Sequence, residues 1–76
     1  MFKDLVEYMV KSLVDEPDMV EVTEMAGESS IIVEVRVAEE DTGRIIGRKG
    51  RVINALRTIV QSLGAKEGKR VTLEVL

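Results

Sequence analysis

With 76 residues, 45% of them apolar and 33% charged, the chain has the makeup of one small folded domain rather than a disordered segment. It holds neither cysteine nor histidine, which excludes a disulfide framework, a thiolate metal site and the commonest general base and metal ligand. The net charge of −3 is unevenly spread: residues 1–41 carry three basic against twelve acidic side chains, a net −9, and residues 42–76 carry eight against two, a net +6.

A domain this short buries only about 60% of the surface its unfolded chain exposes, so a partner would add usefully to its stability. No apolar run approaches the roughly 20 residues that span a bilayer. Met1 leads straight into a charged amphipathic pattern rather than a signal peptide, so the expected location is the cytoplasm, with no membrane partner.

In chain order, Phe2, Leu5, Val6, Met9, Val10 and Leu13 recur at three- and four-residue spacing and predict a helix over about 2–15, stopped by Pro17. Residues 19–26 alternate as a strand, with Glu24 out of pattern, and Gly27 to Ser30 make a turn. Residues 31–37 give the cleanest strand, with Ile31, Val33, Val35 and Val37 on one face, and the two strands should pair as an antiparallel hairpin. Glu39, Glu40, Asp41 and Thr42 suit a helix N-terminus, and a short helix over about 39–46 ends at Gly47.

Val52, Ile53, Leu56, Ile59, Val60 and Leu63 then define a helix over about 51–63, with Gly64 placed as its C-terminal cap. Their stripe is about 120° wide, with Ile53 and Val60 at its edge, where a second copy of the chain would find a surface. Ile32, Leu76 and Met25 offer a second apolar patch, on the open face of the sheet. Residues 70–76 alternate as a last strand. Since a helical crossover joins the last two strands, they should run parallel if adjacent. The expected fold is α+β, in the order α-β-β-α-α-β, with a three-stranded mixed sheet and three helices on one face.

The stretch Ile46-Gly47-Arg48-Lys49-Gly50-Arg51-Val52-Ile53 stands apart. Two glycines bracket two basic residues immediately before a helix, and no acid occurs between Thr42 and Lys66. Glycines let the backbone turn tightly and approach a ligand, while amides and dipole at a helix start attract phosphate. A Walker loop is excluded, because five residues beyond Gly43 stands Arg48 and not glycine. The dinucleotide fingerprint fails as well, with Ile45 where its first glycine should be. A bare G-x-x-G is weak evidence, and a plain helical corner is the competing explanation. The basic pair inside it and the acid-free surroundings favour a phosphate grip.

These eight residues resemble the IGxxGxxI core of the KH domain, whose loop clamps a short run of nucleotides along the backbone. The element order is similar to the type II topology. Leu5 to Tyr8, Leu13 to Asp15, Pro17-Asp18, Gly43 to Arg57 and Ala65 to Val71 further resemble the small stand-alone bacterial KH proteins of the KhpA (YlqC) family. The loop interior of that family is often Lys-Gln, so Arg48-Lys49 is more basic than the pattern.

The resemblance implies a single KH domain over residues 1–76, binding single-stranded RNA as an RNA chaperone or post-transcriptional regulator. It implies that Gly47, Arg48, Lys49 and Gly50 hold the backbone, and that Ile46 and Ile53 line an apolar groove, with Ile45 and Val37 as lesser candidates. Arg44, Arg51 and Arg57 would add phosphate contacts, with Lys66, Lys69 and Arg70 flanking. It also implies self-association or pairing with a larger KH-containing protein of the KhpB (Jag) kind, and a link to cell elongation and division. With aromatics at 3% there is no stacking platform, so a single copy should bind weakly and with little selectivity.

No cofactor, metal or small-molecule substrate is expected, and no enzyme, since no nucleophile–base pair can be built without His or Cys. The rival reading is a dimerisation scaffold that keeps the fold and binds little nucleic acid.

Overall fold

A computed structural model describes residues 2–76; Met1 lies outside the described residues. The helices are α1 (Lys3–Leu13), α2 (Thr42–Ile46) and α3 (Arg51–Lys66), and the strands are β1 (Glu21–Ala26), β2 (Ser30–Arg36) and β3 (Arg70–Val75). Short 3-10 turns occupy Pro17–Met19, Glu39–Asp41 and Arg48–Gly50. The sheet order is β1-β2-β3, antiparallel between β1 and β2 and parallel between β2 and β3, as the order of elements predicts. The three helices cover one face, and the fold is the expected α+β arrangement.

Alternation explains why only that face is covered. In β2, Ile31, Val33 and Val35 are buried, and β1 and β3 add Val22, Val71 and Leu73 to the same side. From the helices come Phe2, Val6, Val10, Ile45, Ile53, Leu56 and Val60. Each such side chain stabilises the fold by about 1.5–3 kcal/mol when fully removed from water.

The boundaries shift where tertiary contacts outweigh local signals. Helix α1 stops at Leu13, short of Pro17, because Val14 turns extended (φ −96°, ψ 160°) and the next two amides find a different acceptor. Those of Asp15 and Glu16 donate to the two oxygens of Asp41, at 3.1 and 3.0 Å. Asp41 is buried and lies 25–26 residues further along, so an acid expected to serve its own helix start instead holds the end of α1. Glu24, the residue out of pattern in β1, accepts from the Phe2 and Lys3 amides at 2.8 and 2.9 Å and so caps the start of α1. Loss of solvent pushes its carboxyl upward. Hydrogen bonds and positive charge at the start of the chain, these two amides included, outweigh that and hold it below the ordinary carboxylate value.

Gly64 corrects the expected end of α3. It lies inside the helix, buried, and a Cβ there would fall 2.4 Å from Val71 Cγ2 and 2.9 Å from the Lys69 carbonyl. Its missing side chain lets α3 press on β3. The residue that ends the helix is Gly68 (φ 69°). The Gly68 amide donates to the Ala65 carbonyl and the Lys69 amide to that of Gly64, which is the Schellman arrangement.

Two expected surfaces also change. Ile53 and Val60 sit in the core rather than at the edge of the stripe; the large apolar residues α3 exposes are Ile59 and Leu63. On the open sheet face Met25 pairs with Ile32 at one end, whereas Leu76 lies beside Glu21, Thr23, Glu34 and Arg36 at the other. The three apolar residues do not make one patch.

Candidate nucleic-acid interface

The loop 47–50 is held from both sides. Ile45, fully buried, anchors α2, and Ile53 and Leu56 anchor the first turns of α3. Within the loop the Gly47 amide donates to Gly43 at 2.8 Å and the Gly50 amide to Gly47 at 3.1 Å. The two glycines are needed for different reasons. At Gly47 (φ 77°) a Cβ would come within 2.6 Å of Val52 Cγ2 and 2.8 Å of the Val52 nitrogen, so both conformation and space demand glycine. At Gly50 (φ 76°) the nearest atom to such a Cβ is Asn54 Nδ2 at 3.5 Å, and only the left-handed backbone demands it.

Between them Lys49 is itself left-handed (φ 58°, ψ 25°), and among the described residues it is the one non-glycine with positive φ. An L-residue held there is strained by about 1–2 kcal/mol, the kind of conformation that clusters at ligand-gripping loops. No backbone carbonyl among the described residues accepts from the Arg48 or Lys49 amide. Both residues and Arg51 are exposed, and none of the three pairs with an acid among the described residues.

The other basic candidates are differently placed. Arg44 points back to the acids: its Nη2 donates to Asp15 Oδ2 at 3.0 Å, and its Nε lies 3.8 Å from Asp41 Oδ1. Arg57 is half-buried and donates through Nε to the Leu73 carbonyl at 3.1 Å. Lys69 donates to the Glu28 carbonyl at 2.8 Å, while Lys66 and Arg70 are exposed. Ile46 is half-buried against the core next to the loop, and Ile53 is 4% exposed, so little of its surface remains for a ligand. Asn54 was missed by sequence reasoning. It stands one turn beyond Gly50 on the same helix face, the i,i+4 spacing that could have revealed it.

What the arrangement offers is a glycine-bounded turn whose Arg48 and Lys49 amides are free, three cations with no acid partner among the described residues, and the positive end of a 16-residue helix. Free amides and positive charge at a helix start are chemically suited to an anion such as a phosphate. The family model described as KhpA/KhpB, KH domain matches residues 3–75. The chain belongs to this KH-domain family. Among its curated KhpA relatives, each bearing the name RNA-binding protein KhpA, that of Clostridium acetobutylicum is 50% identical over 97% of this chain and 99% of its own length. The Aquifex aeolicus KhpA is also 50% identical, over 97% of this chain and 94% of its own, and that of Borreliella burgdorferi is 48% identical over 96% and 89%. A crystal structure of Aquifex aeolicus Era bound to GDP and tetrafluoroaluminate superposes with a TM-score of 0.67 at 24% identity, over 96% of this chain and 28% of that one, a likeness of fold. Among the described residues of this KhpA-family chain, no helix is long and apolar enough to cross a membrane, and no group of three or more acids could hold a metal ion.

Proposed function

We propose that residues 1–76 act as one KH domain that binds single-stranded RNA in the cytoplasm, as an RNA chaperone or post-transcriptional regulator, without catalysis. The observation that carries this reading is the contrast inside the basic segment. Arg48, Lys49 and Arg51 are left without acid partners among the described residues at a helix start, although the chain as a whole is acidic. The backbone of the strand would rest on Gly47 to Gly50 and be neutralised by those three cations, with Ile46 and the rim of Ile53 against the adjoining bases. Arg44 and Arg57 would contribute less, each already committed within the protein. The shared name of the relatives supports RNA as the ligand.

Affinity from one such loop is modest, and a second linked site would multiply it. A second copy of the chain, or a larger KH protein of the KhpB kind, which the family description names beside KhpA, would supply it. The exposure of Ile59 and Leu63 on α3 supports that helix as the place of contact.

The test is fluorescence anisotropy of a labelled random RNA and its DNA counterpart at low and physiological salt, with Arg48→Asp/Lys49→Asp as the variant and circular dichroism as the folding control. Loss of binding by at least tenfold in the folded variant, with a salt slope lower by about 1.4 for two phosphate contacts removed, is expected. Equal binding by the variant would move the site elsewhere on the chain, and no binding by either protein would favour the scaffold reading.

A further inference from the structure

The side chain of Arg57 bridges α3 and the outer edge of the sheet. β3 is an edge strand, and its even-numbered residues turn their backbone toward β2: the Arg70 amide donates to Ser29 and the Leu76 amide to Val35. The Leu73 carbonyl therefore faces the free edge, and Arg57 Nε takes it at 3.1 Å. Nη1 makes only a long contact, 3.5 Å, with Asn54 Oδ1, and Nη2 has no partner among the described residues. Asn54 in turn adjoins Gly50, so Gly50, Asn54, Arg57 and the Leu73 carbonyl form one continuous polar strip leading away from the loop. Arg57 lies seven positions beyond Gly50 along the helix, a rise of about 10 Å. That is within the reach of a base whose phosphate the loop holds.

The Leu73 bond fixes the orientation of a planar, permanently charged fork and leaves its outer Nη1/Nη2 edge free. Such an edge donates two parallel hydrogen bonds and is satisfied by two adjacent acceptors. Guanine presents O6 and N7 side by side, as cytosine presents O2 and N3. Adenine sets an amino donor beside its ring nitrogens, and in uracil an N–H separates the two carbonyls. We propose that Arg57 is a base-reading residue, giving the site a preference for cytosine or guanine over adenine and uracil at one position next to the loop-bound phosphate. This rests on the RNA-binding reading above and assigns Arg57 a base where that reading gives it a phosphate.

The experiment is a competition series with the full chain: an oligouridine 8-mer against 8-mers carrying two central cytosines, guanines or adenines. Wild type should prefer the cytosine or guanine oligomer by about five- to tenfold. In Arg57→Gln and Arg57→Lys the four should fall within twofold of one another, since neither side chain carries the fork. A measurement without any protein variant guards against misfolding: 3-deazacytosine or 7-deazaguanine in the preferred oligomer, each lacking one of the two acceptors, should lower wild-type affinity to the uridine level. Retained preference in a folded Arg57 variant, or tolerance of the deaza bases, overturns the proposal. Loop-dependent but base-blind binding by wild type overturns it and leaves RNA binding standing. No binding of any oligomer removes both.

Discussion

Two corners of the molecule lie a few residues apart and use charge in opposite ways. At the first, Asp41, Asp15 and Arg44 turn on one another: a buried carboxylate takes two amides from the end of α1, and the guanidinium closes over both acids. At the second, Arg48, Lys49 and Arg51 surround a constrained backbone and find no acid among the described residues. Counting charges does not separate them, since all four cations fall in the same acid-free run. Partners do. On the proposed function, charge spent on the fold serves stability and charge left open serves binding.

The sharpest way to break this contrast is Asp41→Ala. It leaves the Asp15 and Glu16 amides without their acceptor and should destabilise the protein by about 2–4 kcal/mol in urea unfolding. RNA affinity of the folded fraction should hold or rise, because Arg44 is released. A folded Asp41→Ala protein that loses RNA as fully as the loop variant would show the two corners to be one site.

Lys49→Gly probes the loop in the other direction. Relief of the left-handed strain should leave stability unchanged or raise it by up to about 1 kcal/mol, while RNA affinity falls with the lost cation. Thermal melting and anisotropy on one preparation would read both. A drop in stability would mean that the Lys49 side chain braces the loop.

The smallest effect is expected from Arg44→Gln. Its ion pair with Asp15 is exposed on both sides and should contribute under about 0.5 kcal/mol. RNA affinity should fall by a smaller factor than for Arg48→Gln or Lys49→Gln. An equal fall would show that RNA draws Arg44 away from its acids.

Most of the architecture was legible in residue order because its signals are local. Alternation in 31–37 marked the central strand, and the apolar stripe with the bracketing glycines marked α3 and its loop. What could not be read depends on residues distant in sequence. Gly64 looked like a helix end because glycine commonly serves there, yet Val71 and the Lys69 carbonyl require its missing Cβ. Asp41 looked local to its own helix, and its partners lie 25 and 26 residues earlier. Glu24 did leave a trace, as a carboxylate interrupting an apolar alternation, but what it serves is the start of α1. In the basic segment the spacing marked which residues are cationic and not which are already occupied. Arg44 and Arg57 differ from Arg48 and Arg51 only in three dimensions.

The close approach at Gly64 has a mechanical side. A helix touching a strand through an absent side chain is clamped at that point, while its opposite end is held by the packing of Ile53 and Leu56. Gly50 lies fourteen residues away, about 21 Å along the axis. Tilting α3 by about 5° about the clamp would carry the loop through about 2 Å. Widening Gly64 by a single methyl would therefore be felt at the far end of the lever, where the proposed phosphate contacts lie.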